Sequence, residues 1–397
     1  MHLRKRHIQR LLSKRLRIFP VLGLVGPRQV GKTTFLMQEW KTKIGAHYVT
    51  LDRFEAVKRA KREPENFLLS ESLDLKRKLI IDEAQKVPAL FDSMKSLIDE
   101  RRRVGIFTVS GSVEFSDRSG IRESLAGRMA TCRLYPLTLA ELAGDPIQVP
   151  WLNGLSGAVP LRKPDHVEKW LRRGGMPIFC ALHDDAEIRA AIEGWLEAIC
   201  YRDMQHLKGR RLIGDIALSI LSHIARDPRV NLSRISIETG VSRSSVADHL
   251  SALEALFLIY KLPSLENRQA APEYALFDCA VLRYLLGGGD ETLVRLQSLR
   301  TLVINEIHAQ YEYAGEARPG LFSYHTRGGA DVDLVLQSGK RLWGIELSIT
   351  SDIKPYALRG LKSFLARHKR AEGILLAPVM QGFSIDGIRV LPWTLIG

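Results

Sequence analysis

Short apolar runs alternate with amphipathic segments along the first third of the chain. The runs are FPVLGLVG, HYVTLD, KLIIDEAQ, GIFTVSGS and ATCRLYPLT, and they lie between residue 19 and about residue 140. Short runs of this kind predict strands, and the alternation of strands with helices is typical of an α/β domain. We therefore expect a doubly wound parallel sheet within residues 1–145.

The pattern changes after that region. The stretch AGDPIQVPWLNGLSGAVPLRKP is rich in Gly and Pro, which predicts a linker or a lid loop. Residues from about 165 to 262 follow a helical period, and the remainder returns to mixed α/β patterning. We expect a helical linker or lid region at 146–210, a winged helix-turn-helix at 211–265 and a mixed α/β domain at 266–397.

Three consecutive helices are predicted by IGDIALSILSHIARDP, NLSRISIETG and SRSSVADHLSALEAL. A short turn with Gly240 separates the last two, Ser242 suits the N-cap of the third, and LFLIYKLP would be the wing strand. Asp248 on the third helix is repulsive to phosphate, so both DNA and a protein partner stay open. The predicted DNA-contacting residues are Arg243, Ser244, Ser245 and His249.

Composition narrows the class of protein. The chain has 397 residues, of which 45% are hydrophobic and 26% charged, as in ordinary globular proteins. A formal net charge of +14 favours a polyanionic partner, such as nucleic acid or an acidic membrane surface. The four cysteines form no CxxC pair, which argues against a zinc site and against a disulfide scaffold.

No apolar run is long enough to cross a bilayer, and the N-terminal segment lacks the apolar core of a signal peptide. Basic residues in that segment are interleaved with Ile8, Leu11, Leu12 and Leu16 at helical spacing. Such a helix either packs one face against the protein or touches membrane or nucleic acid, and we favour packing. We expect a cytoplasmic protein without a membrane span.

A glycine-rich loop lies between the first predicted strand and a predicted helix. Its sequence, GPRQVGKTT, fits the phosphate-binding pattern G-x-x-x-x-G-K-[ST]. The glycines let backbone N–H groups face a phosphate, and the helix N-terminus adds partial positive charge. Lys32 would reach the β- and γ-phosphates of ATP, and Thr33 would offer its hydroxyl to Mg²⁺. The predicted nucleotide-binding residues are Gly26, Pro27, Arg28, Gln29, Val30, Gly31, Lys32, Thr33 and Thr34.

Two acidic residues end the apolar run KLIIDEAQ. The run suits a buried parallel strand, so Asp82 would lie at its carboxyl end, beside the phosphate-binding loop. There Asp82 and Thr33 would hold Mg²⁺, and Glu83 would polarise the attacking water.

Residues after the next strand complete the predicted site. Ser110 and Ser112 of FTVSGS would orient the water or sense the γ-phosphate, or else would cap the next helix. The segment ESLAGRM offers Arg122 and Arg128 as an arginine finger towards a neighbouring subunit, with a surface salt bridge as the competing interpretation. We predict Lys32, Glu83 and Arg128 as the catalytic residues.

The segment ADVDLVLQSGKRLWGIELSIT predicts two strands joined by a turn. It resembles PD-(D/E)XK nucleases, which carry carboxylates at the positions of Asp333 and Glu346, with Glu306 of a preceding helix as a third acid. Those nucleases have a lysine where this chain has Ser348, and serine is a poor activator of water. Three interpretations stay open: an active nuclease aided by Lys354, a vestigial nuclease fold kept for binding, and a structural hairpin.

The motifs GPRQVGKTT, IIDEAQ, SLAGRM, LYPLT, GGMP, YRD, VDLVL and GIELS occur in this order. Together they resemble a large prokaryotic family of AAA-type P-loop ATPases that carry a C-terminal domain of unknown function. The resemblance covers nearly the whole chain. It implies ATP binding and an ATPase domain followed by a winged helix and a PD-(D/E)XK-like domain, and it says little about the biological role.

We therefore expect an α/β protein with an AAA-like P-loop NTPase domain, a helical winged-helix segment and a mixed α/β nuclease-like domain. ATP and Mg²⁺ are the expected cofactors. Double-stranded DNA, a protein partner or a second copy of the chain is the expected partner. An ATP-gated metal-dependent DNA nuclease and a nucleotide-controlled regulatory or toxin–antitoxin-type binding module are the alternatives.

Overall fold

The computed structural model describes residues 4–113, 125–160, 165–207, 212–267, 269–326 and 328–397. The chain divides into two units. The first unit comprises Arg6–Tyr135 and Ala255–Phe257, and the second consists mainly of Pro136–Glu254 and Leu258–Gly397. In the part of the chain that the structure describes, no helix has both the length and the apolar character that a membrane span requires.

A sheet in which every neighbouring pair of strands is parallel forms the centre of the first unit. Its strands are β1 (Val21–Val25), β2 (His47–Thr50), β3 (Leu79–Asp82), β4 (Phe107–Gly111) and β5 (Met129–Arg133). Their order across the sheet is β2–β3–β4–β1–β5. Each apolar run named above contains or overlaps one of these strands, so the predicted parallel α/β sheet is confirmed.

Burial explains why these runs are continuous. Every residue of β1, β3 and β4 is buried, as expected for strands that are covered on both faces. The apolar face of the N-terminal helix packs against the protein, as favoured from the sequence. The residues of that face are all buried, namely Ile8, Leu11, Leu12 and Leu16. The α-helices of this unit are α1 (Gln9–Arg15), α2 (Lys32–Phe35), α3 (Lys41–Ile44), α4 (Phe54–Arg62), α5 (Pro64–Glu71) and α6 (Ala89–Arg101), with a π-helical segment, Leu36–Trp40, between α2 and α3.

The strand order decides which side chains meet. Strand β4 lies between β1 and β3, with Leu24 of β1 opposite Ser110 of β4. Strand β2 lies on the other side of β3, with Thr50 opposite Asp82. Because parallel strands all end at the same edge, the loop after β1, the acidic end of β3 and the end of β4 share one edge of the sheet.

In the second unit, three successive helices precede a two-stranded antiparallel sheet. Ser242 begins the third helix, since its Oγ accepts a hydrogen bond from the Ser245 backbone N–H at 3.2 Å, as predicted for an N-cap. These elements are α11 (Gly214–Arg226), α12 (Leu232–Thr239), α13 (Arg243–Ala255), β6 (Ile259–Leu262) and β7 (Glu273–Leu276). The α-helices that come before them are α7 (Leu139–Ala143), α8 (Asp165–Arg173), α9 (Pro177–Cys180) and α10 (Asp185–Glu197).

A mixed sheet with order β12–β13–β11–β10–β9–β8 closes the chain. Its strands are β8 (Gly320–His325), β9 (Asp331–Ser338), β10 (Arg341–Leu347), β11 (Glu372–Ala377), β12 (Phe383–Ile385) and β13 (Ile388–Pro392). Strands β9 and β10 form the predicted antiparallel pair, with Leu334 opposite Ile345. Helices α14 (Cys279–Leu286), α15 (Glu291–Ala314) and α16 (Arg359–Arg367) belong to the same region.

A buried carboxylate joins the GGMP motif to helix α14. The Asp278 side chain accepts hydrogen bonds from the backbone N–H groups of Gly175 at 2.8 Å and Met176 at 3.1 Å. It also accepts from Ala280 at 2.8 Å, so it caps α14 as well. Gly174 has φ +67°, and a Cβ there would lie 2.2 Å from Asp278 Oδ1, so the close approach requires glycine.

We expect Gly174→Ala to lower the free energy of unfolding by about 1–3 kcal/mol, because it strains the backbone and displaces the Asp278 carboxylate. Gly194→Ala is the matched control, since Gly194 lies in helix α10 and a Cβ there would meet nothing within 4 Å. That control should be neutral or should stabilise by up to about 1 kcal/mol. Chemical denaturation measures both, and equal stability of the two variants would contradict the assignment.

Candidate functional site

The phosphate-binding loop joins β1 to helix α2. Gly26 has φ +153°, and a Cβ there would lie 2.4 Å from the Leu134 carbonyl oxygen. Gly31 has φ +100° and immediately precedes the helix. A side chain at Gly26 would collide with backbone, and φ values of this kind are readily adopted only by glycine, so the loop needs glycine at both predicted positions.

The ammonium group of Lys32 lies inside this loop. Its Nζ donates hydrogen bonds to the carbonyl oxygens of Gly26 at 2.8 Å and Pro27 at 2.9 Å, and the side chain is buried. A buried cation needs such partners because burial removes its hydration. The charge of Lys32 is therefore held at the centre of the loop, where the sequence predicts phosphate binding.

Arg6 supports the loop, which sequence reasoning missed. Its guanidinium donates to the Val30 carbonyl oxygen at 2.9 Å and to the Tyr135 carbonyl oxygen at 2.6 Å. Arg6 is buried although it lies in a strongly basic segment. In the sequence, Arg6 looks like any other basic residue of this segment. Its role could not be predicted because both acceptors are backbone oxygens of residues far along the chain.

Asp82 is fully buried at the end of β3. Its Oδ2 accepts hydrogen bonds from Thr33 Oγ1 at 2.6 Å and from Tyr48 Oη at 2.8 Å, and its Oδ1 accepts from Ser110 Oγ. The predicted metal residues Thr33 and Asp82 are thus in direct contact. Tyr48 was not predicted as a site residue. The pKa of its hydroxyl is raised, mainly by burial and further by the nearby Asp82 charge.

Glu83 follows directly and has φ +57°, a left-handed value that is uncommon outside glycine. Its backbone N–H donates to Ser110 Oγ at 3.4 Å, and its Oε2 accepts from Gln85 Nε2. Burial raises the pKa of the Glu83 carboxyl, the Lys32 charge opposes that shift, and the Asp82 charge adds to it. The Glu83 carboxyl is therefore within the electrostatic influence of both Lys32 and Asp82.

The predicted arginine finger has a partner in its own unit. Arg128 donates through Nε to Asp99 Oδ1 at 2.6 Å and through Nη2 to Asp99 Oδ2 at 2.9 Å. This two-point pairing is the salt bridge that the sequence left open as the alternative, and a role towards a neighbouring subunit would require breaking it. Arg122 lies outside the described residues.

The carboxylates of the C-terminal strands are also close together. Asp333 Oδ2 accepts a hydrogen bond from the Leu347 backbone N–H at 2.8 Å. Glu346 Oε2 is buried and, within the described residues, has no hydrogen-bond partner. Burial raises the pKa of both groups, and the charge of Asp333 raises that of Glu346 further.

The third predicted carboxylate lies elsewhere, which corrects the sequence prediction. Glu306 Oε1 accepts from the Leu139 backbone N–H at 2.6 Å, and its Oε2 accepts from Gln310 Nε2 at 3.0 Å. Burial raises the pKa of Glu306 to about 8. Over the ranges that the structure describes, no group of three or more His, Cys, Asp and Glu side chains is arranged to hold a metal ion. Glu306 serves the N-terminus of α7 rather than a metal site.

Ser348 stands at the position of the nuclease lysine, and Lys354 is the lysine that could have aided such a site. Both have local partners. Ser348 Oγ donates to the Thr350 carbonyl oxygen at 2.8 Å and accepts from the Thr350 backbone N–H at 3.2 Å. Lys354 is exposed and pairs with Asp352 at 2.6 Å. Ser348 therefore shapes a turn, and Lys354 contacts its own loop.

Cationic side chains lie around the acids of this region instead. Arg300 of helix α15 donates to Glu273 Oε2, and His325 contacts both Glu273 and Asp331. Arg229 pairs with Glu273 at 3.3 Å and with Asp331 at 3.4 Å. Burial raises the pKa of Glu273, but the His325 hydrogen bond and the Arg300 charge outweigh it and lower that pKa to about 2. Sequence reasoning missed this network because its members lie on separate elements.

One predicted DNA contact is wrong. His249 is fully buried, its Nδ1 lies 2.7 Å from the Ser245 carbonyl oxygen, and its Nε2 accepts from the Ile213 backbone N–H at 2.9 Å. This places the ring proton on Nδ1, and the imidazole links α13 to the start of α11. Arg243 and Ser244 are exposed and Ser245 is half-buried.

Family models match three parts of the chain. Residues 19–143 match a model described as an AAA domain. Residues 164–292 and 297–396 match two domains of unknown function, DUF8612 and DUF4143. The first unit is an AAA-type ATPase-like domain, which supports nucleotide binding.

Two mycobacterial relatives match almost the whole chain. They are the uncharacterized proteins Rv2008c of Mycobacterium tuberculosis and Mb2031c of Mycobacterium bovis, each 25% identical over 97% of this chain and 82% of the relative. Among solved structures, AMPPCP-bound DnaA from Aquifex aeolicus has 10% identity and a TM-score of 0.26, covering 62% of this chain and 85% of its own. A DNA replication initiation factor has 10% identity and a TM-score of 0.27, covering 62% of this chain and 75% of its own.

His325 generates a prediction about pH. Hydrogen bonds with Asp331 and then with Glu273 raise its pKa from 6.5 to about 9. A raised pKa means that folding favours the protonated ring, so the stabilisation is complete below pH 6.5 and is lost as the pH rises through 9. Chemical denaturation should show that the stability advantage of the wild type over His325→Gln falls across this range.

The control for this prediction is His183→Gln, because His183 is exposed. Its stability difference from the wild type should stay constant over the same pH range. A difference between wild type and His325→Gln that does not change with pH would contradict a charged His325 in the network.

Proposed function

We propose that the first unit binds ATP with Mg²⁺ and hydrolyses it, and that the nucleotide controls binding of DNA or a protein by the second unit. One observation carries the ATPase proposal. The loop that holds Lys32 and the contact between Thr33 and Asp82 lie at the same edge of the sheet, with Glu83 next in the chain. The AAA-domain match over residues 19–143 supports the same assignment.

Lys32 would bind the phosphates. Its partners include two neutral carbonyl oxygens of its own loop. A phosphate oxygen makes a stronger, charge-assisted hydrogen bond with an ammonium group, so phosphate would replace these carbonyls. The backbone N–H groups of the loop and the N-terminus of α2 would add further donors.

The oxygen atoms beside Lys32 fit Mg²⁺. Thr33 supplies a hydroxyl and Asp82 a carboxylate, and Mg²⁺ is usually held by one or two carboxylates together with substrate phosphates and water. Neutral hydroxyl groups of Thr33, Tyr48 and Ser110 donate hydrogen bonds to Asp82, and a bound cation would add the positive charge that these donors lack. When bound, Mg²⁺ would neutralise charge that develops on the phosphates.

Glu83 would act as the general base. Its carboxylate would accept a proton from water while the water oxygen forms a bond to the γ-phosphorus. The bond between that phosphorus and the oxygen of the β-phosphate would break, leaving ADP and phosphate. Ser110 would hold both neighbours in place, because its Oγ donates to Asp82 and accepts from the Glu83 backbone N–H.

We expect Lys32→Ala to lose most ATP affinity, because it removes the cation of the loop.

Glu83→Gln should bind ATP as the wild type does, while kcat falls about 100- to 10,000-fold, the usual contribution of a general base. Calorimetric titration measures binding, and phosphate release measures turnover. Lys41→Ala is the control, since Lys41 is an exposed lysine at the start of α3.

Wild-type affinity in Lys32→Ala would overturn the assignment of the phosphate site. A wild-type protein that binds ATP with Mg²⁺ but releases no phosphate would overturn hydrolysis and leave a nucleotide-controlled binding module.

The second unit is the proposed site of partner binding. The three helices and the following hairpin agree with the predicted winged helix, and the net charge of +14 favours DNA. Exposed Arg243 and Ser244 begin the third helix, which is the element that reads DNA in such folds. The ATP-gated nuclease has less support, because Glu306 does not join Asp333 and Glu346.

If this surface binds duplex DNA, affinity should fall steeply as salt rises. Arg243→Ala should weaken binding and reduce the slope of log affinity against log salt by about 1 if the residue contacts a phosphate. Arg189→Ala is the charge-matched control, since Arg189 is exposed on α10. Binding measured with ATP and without it tests the coupling, and absence of binding at low salt would favour a protein partner.

A further inference from the structure

The chain turns sharply where β3 ends. Glu83 has a left-handed backbone, and the next residues, Ala84–Lys86, form one 3-10 turn. Two residues after Glu83, this turn brings the side chain of Gln85 back beside the Glu83 carboxylate. The left-handed backbone at Glu83 therefore helps to bring the Gln85 amide into contact with the Glu83 carboxylate.

Gln85 contacts two functional segments at once. Its Nε2 donates a hydrogen bond to Glu83 Oε2 and lies 3.5 Å from Ser112 Oγ, at the end of β4. Gln85 is only 7% exposed and Ser112 only 8%. The amide is therefore enclosed between the proposed base and the neighbouring strand.

Packing alone does not explain why this buried position carries the amide of Gln85. Burying an amide costs free energy unless it is hydrogen-bonded, and an apolar side chain would fill the same space without that cost. The neighbouring positions Ala84 and Val87 are apolar and buried. Gln85 is the polar member of the buried residues here, and its donor points to Glu83.

Carboxylate orientation is the property that such a donor controls. The last torsion of a glutamate side chain is broad, so an unrestrained carboxylate samples many orientations. A donor on Oε2 limits this rotation and leaves Oε1 to accept a proton. Correct orientation of a reacting group contributes directly to the rate.

We propose that Gln85 is a positioning residue for Glu83: it holds Oε2 so that Oε1 faces the attacking water, and Ser112 braces the amide. The inference rests on the proposed ATPase function and gives a role to Gln85, the last residue of the IIDEAQ motif, to which the sequence alone assigned none. Because the proposed role of Gln85 runs through Glu83, loss of its amide donor should change the chemical step and leave ATP binding unchanged.

The test is a double-mutant cycle on ATP hydrolysis with Gln85→Met, which keeps the length of the side chain and removes the donor. In the wild-type background kcat should fall about 10- to 100-fold, the size of effect expected from a misplaced reacting group, with KM for ATP unchanged. In the Glu83→Gln background the same substitution should have no further effect on kcat. Ser112→Ala should lower kcat in the same direction by a smaller factor.

Lys86→Met is the matched control. Lys86 lies in the same turn, is exposed and pairs with Asp52, so kcat should stay at the wild-type value. If Met disturbs folding, Gln85→Glu keeps the shape of the side chain and removes the donor, and a similar loss of kcat is expected.

The outcomes separate the two proposals. An unchanged kcat in Gln85→Met, or an equal further loss in the Glu83→Gln background, overturns the role of Gln85 while hydrolysis stands. A raised KM with unchanged kcat likewise overturns it, because Gln85 would then serve binding. Absence of hydrolysis by the wild type overturns the proposed ATPase and this inference with it.

Discussion

The carboxylate of Asp82 accepts hydrogen bonds from Thr33, Tyr48 and Ser110, which belong to three different segments of the first unit. A fully buried carboxylate is stable only with such partners, because burial removes its hydration. These contacts connect the helix after the phosphate-binding loop with β2, β3 and β4. The other groups of the candidate site, above all Lys32 and Glu83, depend on this arrangement for their positions.

Partners from the protein itself surround each charged group at this edge. Lys32 contacts carbonyl oxygens of its own loop, Asp82 contacts hydroxyls, and Glu83 contacts an amide. Phosphate and Mg²⁺ would therefore exchange one set of contacts for another. Such exchange favours strongly charged ligands, since only a stronger, charge-assisted contact displaces a hydrogen bond that is already satisfied.

In the second unit, buried carboxylates organise backbone rather than a metal site. Asp278 accepts from the N–H groups of two chain segments, and Glu306 accepts from the start of α7. Near the C-terminal strands, Arg300 and His325 supply positive charge to Glu273. Glu273 is not one of the nuclease-like acids, of which Asp333 and Glu306 accept hydrogen bonds from backbone N–H groups instead.

Local sequence determined the elements of the fold and the chemistry of the loop. Apolar runs identified the parallel strands, because strands covered on both faces need continuous apolar residues. The spacing of GPRQVGKTT placed Gly26, Gly31 and Lys32, because loop conformation and helix start are local properties. Ser242 was likewise identified as an N-cap from its immediate neighbours.

Only the tertiary structure decided which distant side chains meet. Tyr48 reaches Asp82 because β2 lies beside β3, and Arg6 reaches Val30 because the N-terminal segment packs against the loop. Glu306 was assigned to a metal site from its position along the chain, but its helix directs it to α7. His249 was placed on an exposed face, yet it is buried against α11. Periodicity describes the faces of one helix, whereas burial depends on the elements packed around it.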